Sequence, residues 1–155
     1  MPKKTLLKVF AVLAVLAIAF ASFTTLGGDE KVSGSAAGLP VVTGNAGEAP
    51  TTLQTQDLIV GTGTEVLPTS TLTVHYTLMT WSNGSLVESS WNGGQPATFP
   101  LSGVIAGWQE GLPGAKAGGR RLLVIPADKG YGPNGSGPIG PNETLIFVVD
   151  IIAVS

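Results

Sequence analysis

One stretch of this chain has the period of a helix, whereas the other patterned stretches alternate in the manner of strands. A helix over residues 103–112 places three apolar residues on one face at positions i, i+3 and i+7: Ile105, Trp108 and Leu112. Gly103 and Gly107 leave room there for a close approach. A lone amphipathic helix has to bury its apolar face against a sheet, so we predict an α+β domain. Spacing alone does not distinguish two roles for Trp108, an ordinary core residue or the apolar floor of a cleft.

The strand pattern is clearest at residues 71–81, where apolar and polar residues alternate. One face carries Leu72, Val74, Tyr76 and Leu78, and the other carries His75. The pair Asn83-Gly84 predicts a type I′ turn that returns the chain over residues 85–89. Shorter strands are predicted at 58–60, 97–101, 120–126 and 145–154. The continuous apolar run at 120–126 indicates a strand covered on both faces, and together these segments predict an antiparallel sheet of five or more strands.

The segment 127–142 contains five glycines and three prolines, which is too many for regular structure. Its large apolar residues are Tyr131 and Ile139. We interpret the segment as a flap over the sheet.

Composition excludes several kinds of chemistry. Eight Lys plus Arg stand against ten Asp plus Glu among 155 residues, so no nucleic-acid surface is expected. The chain has no cysteine, which excludes disulfides, thiolate metal sites and a cysteine nucleophile. Its single histidine, His75, has no acidic cluster near it in sequence, so neither a histidine metal site nor a Ser-His-Asp triad is expected. We therefore expect no metal and no cofactor.

The N-terminus has the order of a secretory signal: lysines, an apolar run over residues 9–20, then small residues. Ala19 and Ala21 predict cleavage after residue 21. The alternative is an uncleaved membrane anchor over residues 6–23, and both readings place the domain outside the cytoplasm. Residues 22–50 are predicted to be a flexible linker, in which 39–43 is compatible with a short edge strand, and 51–155 are predicted to be the folded domain.

Seven motifs in order from about Leu53 to Ser155 resemble the FKBP-type peptidyl-prolyl cis-trans isomerases. They are VGTG at 60–63, VHYT at 74–77, ESS at 88–90, VIAGWQEGL at 104–112, GGRRLLVIP at 118–126, GYG at 130–132 and PNETLIFVVDI at 141–151. The resemblance implies an antiparallel sheet of five to six strands wrapped around one short helix. It also implies an enzyme that isomerises Xaa-Pro bonds during the folding of exported proteins.

The resemblance also implies roles for particular residues. Tyr76 lines the cleft, Trp108 forms its floor and Phe147 closes its back. The residues that enter the helix, Val104 and Ile105, supply a wall and a backbone N–H donor to the substrate carbonyl. The flap contributes the Tyr131 hydroxyl and an apolar contact from Ile139. His75, on the opposite face from Tyr76, is expected to be structural.

Several positions depart from the family pattern. Glu88 stands where the family usually has Asp. Its carboxylate is still available to Tyr76, but it lies one methylene group further from the backbone of its strand. Val87 and Ala97 occupy positions where better-studied members have phenylalanine, and Gly93 one where they often have arginine. The connection at residues 102–103 is shorter than usual. We therefore expect a wider, less aromatic rim.

The expected partners are proline-containing polypeptides and, weakly, the macrolides tacrolimus and rapamycin. A membrane is a partner only if the N-terminal segment stays uncleaved, and a monomer is expected. The small rim residues Val87 and Ala97 favour one alternative, a proline-segment binding module or holdase with little turnover. A β-rich adhesion or structural domain fits the composition but not the ordered motifs.

Overall fold

The computed structural model describes residues 47–155 and two short strands before them, β1 (Lys31–Ser33) and β2 (Val41–Thr43). These two strands pair antiparallel in a sheet of their own. The strand expected within residues 39–43 therefore exists, but its partner is a segment close by in sequence and not the main sheet. The predicted signal or anchor at 1–21, and most of the predicted linker, lie outside the described residues. None of the helices described is long and apolar enough to cross a membrane.

The main sheet has six antiparallel strands. They are β3 (Gln54–Ile59), β4 (Thr71–Thr80), β5 (Leu86–Ser89), β6 (Ala97–Pro100), β7 (Arg120–Ile125) and β8 (Leu145–Val154). The order is β3-β7-β8-β4-β5, and β6 pairs with β4 beside β5. The predicted α+β fold, an antiparallel sheet with one short helix, is confirmed.

The turn between β4 and β5 differs from the prediction. Gly84 has the expected positive φ of 67°, but Asn83 does not, so no type I′ turn forms. The Asn83 side-chain oxygen instead accepts hydrogen bonds from the Thr80 hydroxyl at 2.6 Å and the Ser85 N–H at 2.9 Å. The Gly84 N–H donates to the Thr80 carbonyl at 3.0 Å, which closes a wider loop. Side-chain capping of the loop by Asn83 has replaced the left-handed backbone that the sequence suggested.

The helix is shorter than predicted. α1 spans Ala106–Gly111, after a 3-10 turn at Leu101–Gly103, and Ile105 precedes it with extended backbone angles, φ −58° and ψ 152°. Arg121 of β7 terminates α1, because its guanidinium donates to the carbonyls of Gly111 at 2.9 Å and Pro113 at 3.2 Å.

Two glycines let α1 lie directly on β7. A Cβ at Gly107 would overlap the side chain of Ile125, and one at Gly111 would meet Leu123 at 2.8 Å. The close approach expected at Gly107 is therefore present. At Gly103 the nearest atom to such a Cβ is Pro100 Cγ at 3.4 Å, so that glycine is not needed for packing.

The sheet buries both of its faces. The inner cluster packs around α1 and consists of Val66, Leu72, Val74, Tyr76, Leu78, Leu101, Trp108, Leu112, Ala115, Leu123, Ile125, Ile139, Leu145, Phe147, Val149 and Ile151. The outer cluster on the opposite face consists of Met79, Trp81, Leu122, Val124, Ile146 and Val148, with Ala49 and Leu58 packed against it. The predicted alternation of β4 and the two-sided cover of β7 are both confirmed.

Candidate active site

The inner face carries a cluster of aromatic rings centred on Trp108. Three rings contact the indole edge to face. The distance between ring centroids and the angle between ring planes are 5.3 Å and 84° for Phe147, 5.7 Å and 83° for Tyr76, and 5.9 Å and 88° for Phe99. Such edge-to-face contacts are the arrangement that aromatic rings prefer, because the positive edge of one ring meets the negative face of another. Trp108 is 4% exposed. The cluster is therefore a fixed apolar surface, held at the N-terminal part of α1.

A β-bulge directs two consecutive residues of β5 to this cluster. Glu88 pairs with Leu78 and Leu86 pairs with Met79, so Val87 is the extra residue in the ladder. Val87 packs against the inner cluster, and the Glu88 side chain interacts with the Tyr76 hydroxyl. A regular strand would have sent these neighbours to opposite faces. The structure thus brings together the three predicted residues Tyr76, Val87 and Glu88.

The two tyrosines of the site keep their protons strongly. Burial raises the pKa of Tyr76, and the hydrogen-bonding interaction with Glu88 and its negative charge raise it further. Burial also raises the pKa of Tyr131, with a smaller contribution from Glu88. Tyr131 is nevertheless 37% exposed, so its ring lies at the rim while Tyr76 lies inside. Both hydroxyls therefore stay protonated throughout the neutral range.

The entrance to α1 supplies an unpaired backbone donor. Val104 and Ile105 are half-buried and pack against the inner cluster. Within the described residues, the Ile105 N–H donates to no backbone hydrogen bond, whereas the Ile105 carbonyl accepts from Trp108 N at 3.0 Å. The predicted donor thus lies beside the inner cluster without a backbone partner among the described residues.

The segment predicted to be a flap contributes one buried residue, Ile139, and one exposed residue, Tyr131. Ile139 is 6% exposed and belongs to the inner cluster, where it is held by a pair of backbone hydrogen bonds with Ser136, both 2.9 Å. The segment also contains short 3-10 turns at Ala127–Lys129 and Gly132–Asn134. A salt bridge of 2.7 Å between Lys129 and Glu110 ties this segment to α1.

Sequence reasoning missed Phe99. Its ring lies 6.2 Å from Tyr76 and 5.9 Å from Trp108, which makes it part of the aromatic surface. The signal was present in the alternation of β6, since Ala97 and Phe99 share a face and both pack against the inner cluster. The rim is therefore more aromatic than Ala97 alone indicates.

His75 lies on the opposite face, as predicted. Its ring stacks on Trp91 at 4.1 Å, and its Nδ1 is 2.9 Å from the Ser90 hydroxyl. That hydroxyl also accepts a hydrogen bond from the Tyr76 N–H at 2.8 Å. Ser90 thereby anchors the 3-10 turn after β5 to β4, which is a structural role.

The other features of the described residues offer no competing centre of chemistry. A surface cavity of about 60 Å³ is lined by Asp57, Arg120, Arg121 and Lys116 among others, and by none of the four rings of the cluster centred on Trp108. Across residues 47–155 and the two short strands, no group of three or more metal-ligating side chains is present.

Comparison with known proteins agrees with this geometry. The family model described as FKBP-type peptidyl-prolyl cis-trans isomerase matches residues 63–152. A probable FK506-binding protein of Corynebacterium glutamicum is 49% identical over 107 residues, which cover 69% of this chain and 91% of the relative. The Outer membrane protein MIP of Legionella longbeachae is 44% identical over 68% of this chain but only 45% of its own length.

Solved structures show the same fold. The crystal structure of FkpA from Escherichia coli superposes with a TM-score of 0.64 at 36% identity, covering 70% of this chain and 51% of that one. AtFKBP13 gives a TM-score of 0.62 at 32% identity, covering 69% and 96%. These structures share the antiparallel sheet around one short helix with this chain. The chain belongs to the FKBP-type peptidyl-prolyl cis-trans isomerase family.

Proposed function

We propose that the cleft above Trp108 binds the proline ring of an Xaa-Pro segment and accelerates rotation about the preceding amide bond without covalent chemistry. The observation that carries this proposal is the set of rings around Trp108 beside the unpaired Ile105 N–H. A proline ring is small and apolar, which matches a floor made of an indole with ring edges around it.

Rotation of the amide requires loss of its resonance, a barrier of about 18–20 kcal/mol. Turnover in milliseconds instead of tens of seconds requires a reduction of roughly 5.5 kcal/mol. The planar amide has more charge separation than the twisted one, so an apolar surface of Trp108, Tyr76 and Phe147 disfavours the ground state more than the transition state. Preference for the twisted shape supplies a further part of the reduction.

Two donors complete the proposed mechanism. The Ile105 N–H holds the substrate carbonyl on one side of the rotating bond, and the Tyr131 hydroxyl binds the chain from the rim. The negative charge of Glu88 near the Tyr76 hydroxyl helps to keep that hydroxyl protonated. No proton transfer is involved, which agrees with the raised pKa of both tyrosines.

We further propose that the clients are exported polypeptides. The signal-like order of residues 1–21 supports export, and the Legionella relative is named an outer membrane protein. Cleavage after Ala21 makes Ser22 the first residue of the mature protein. The intact mass of protein recovered from the producing cells tests this, because an uncleaved anchor retains the mass of residues 1–21.

The proposed activity is tested by NMR exchange spectroscopy on short Ala-Xaa-Pro-Phe peptides, without a protease. Catalytic amounts of the protein should speed cis-trans exchange at least a hundredfold over the uncatalysed rate, and should also speed a proline-limited refolding reaction. Binding of the same peptides without faster exchange would support the alternative, a proline-segment binding module. The half-buried and small Val87 and Ala97 are the residues that favour that alternative.

A further inference from the structure

The exposed side chain of Gln109 on α1 makes an unusual contact with the segment that enters the helix. Its Nε2 donates to the carbonyl oxygen of Val104 at 2.7 Å. The Gln109 backbone N–H donates to the carbonyl of the next residue, Ile105, at 3.2 Å. Gln109 therefore holds two successive peptide groups at the rim of the cleft.

The carbonyl of Val104 and the N–H of Ile105 belong to one peptide group. A trans peptide is planar, and its C=O and N–H point in opposite directions. The hydrogen bond from Gln109 to one end therefore fixes the direction of the donor at the other end. It also polarises the amide, because hydrogen bonds in a chain strengthen one another.

The local sequence provides few other restraints on this peptide group. Ile105 is the N-cap residue of α1, and its apolar side chain cannot accept the hydrogen bond that Ser, Thr, Asp or Asn provides there. The segment before it is a 3-10 turn closed by a long hydrogen bond, 3.5 Å from Val104 N to Leu101 O. Gln109 supplies a shorter contact at the point where the helix itself supplies none.

We propose that Gln109 is a positioning residue, which orients and polarises the Ile105 N–H for the carbonyl of the bound Xaa-Pro segment. The effect on turnover rests on the proposed isomerase function. The effect on the Ile105 amide does not, so the two can be tested separately in the same protein.

Two substitutions remove the donor while keeping the length of the side chain: Gln109→Met and Gln109→Glu. The matched control is Gln54→Glu on β3, because Gln54 is also a glutamine whose Nε2 makes an exposed contact, 2.8 Å to the Thr52 hydroxyl. β3 lies at the other edge of the sheet from β5. The control thus adds the same charge at the other edge of the sheet, where the Thr52 hydroxyl can donate to the new carboxylate, whereas the Val104 carbonyl cannot donate to one.

We expect both Gln109 variants to lower kcat/KM for Xaa-Pro exchange three- to tenfold at pH 7, with the control within twofold of wild type. Urea unfolding midpoints should be the same in all four proteins. In ¹H–¹⁵N spectra of the free proteins, the Ile105 amide proton should move upfield in both Gln109 variants because it is less polarised.

The acidic variant provides a rescue. An ionised carboxylate only accepts hydrogen bonds, whereas a protonated one donates. As the pH falls through about 4.3, the ordinary Glu pKa, the Ile105 resonance of Gln109→Glu should return towards its wild-type position, while Gln109→Met should not recover. The control Gln54→Glu should show no such titration at Ile105.

An Ile105 resonance that is unchanged in both Gln109 variants would overturn the proposal, whatever the activity does. A shifted resonance with unchanged kcat/KM would overturn the role in turnover. Wild-type protein without measurable turnover would refute the proposed isomerase function, while the resonance and its pH rescue would still decide whether Gln109 orients this peptide.

Discussion

The two faces of the sheet bury tryptophans in different ways. Trp81 on the outer face is 5% exposed, packs among aliphatic side chains, and donates its indole N–H to the Gly47 carbonyl at 3.3 Å. Trp108 on the inner face is 4% exposed, meets three other rings edge-on, and its indole N–H has no hydrogen-bond partner within the described residues. Burial is equal, but the surroundings are not.

This difference separates packing from function. The outer indole is covered by the segment Gly47–Ala49 and has its polar atom satisfied, as a core residue should. The inner indole belongs to a cluster against which the half-buried residues Val87, Ala97 and Ile105 also pack, and its polar atom has no partner within the described residues. Local rules for stable cores are most often violated at functional sites.

The largest expected effect is that of Trp108→Ala. Removing this indole should lower the free energy of unfolding by about 3–5 kcal/mol, the usual cost for a buried tryptophan, and should also abolish peptide binding. Leu122→Ala on the outer face is the control, because Leu122 is 1% exposed and its loss should cost about 2–5 kcal/mol without changing kcat/KM of the folded protein. Urea unfolding and NMR exchange measure the two quantities. If Leu122→Ala loses activity as Trp108→Ala does, the faces are not functionally distinct.

A smaller effect is expected where α1 touches β7. Gly107→Ala puts a methyl group into Ile125, so we expect a loss of about 1–3 kcal/mol from overpacking and a lower kcat/KM, because Trp108 is the next residue. Gly103→Ala is the matched control, since a Cβ there meets only Pro100 Cγ at 3.4 Å. Equal unfolding free energies for the two variants would contradict the packing described.

Larger side chains at the rim should make the free energy of macrolide binding more favourable by about 1.4 kcal/mol. Val87→Phe with Ala97→Phe should tighten tacrolimus binding at least tenfold over the weak affinity expected of the wild type, because both residues border the aromatic surface and each added ring buries apolar area. Thr98→Phe is the control, since Thr98 is exposed and its hydroxyl contacts Thr73 at 3.0 Å. Calorimetric titration measures the affinity of the wild type and of each variant. Equal affinities of the wild type and the double variant would show that residues 87 and 97 do not face the ligand.

The smallest effect concerns the alkaline stability of the inner face. Tyr76 has a raised pKa when folded and one of about 10 when unfolded, so its stabilising contribution is complete below pH 10 and is lost as the pH rises through the folded-state pKa. Between pH 8 and pH 11 the wild type should therefore lose about 1 kcal/mol more unfolding free energy than Tyr76→Phe. Urea unfolding at both pH values measures this. Identical losses would mean that Tyr76 does not hold its proton as described.

Much of this arrangement could be predicted from the sequence, because it follows from the spacing of apolar residues and from the order of the family motifs. The alternation of β4 predicted which face holds Tyr76, and the helical spacing predicted that Trp108 is buried against the sheet. The family resemblance placed the two rings together. The Asn83 turn could not be predicted, since the same residue can use a left-handed backbone or cap the loop with its side chain. The bulge at Val87 and the contact from Gln109 to Val104 depend on register and on the end of a six-residue helix, which periodicity does not determine.

The most direct test of the account is to change only the indole on each face, with Trp81→Phe and Trp108→Phe. The account predicts opposite outcomes. Both substitutions remove a similar volume of buried ring, so both should destabilise the fold. Trp81→Phe should lose about 1 kcal/mol more unfolding free energy than Trp108→Phe, because it also removes the hydrogen bond to Gly47, and should keep its kcat/KM. Trp108→Phe, which removes an N–H without a partner, should lose kcat/KM at least fivefold. If kcat/KM instead falls equally in both variants, the inner face is not the isomerase site described above.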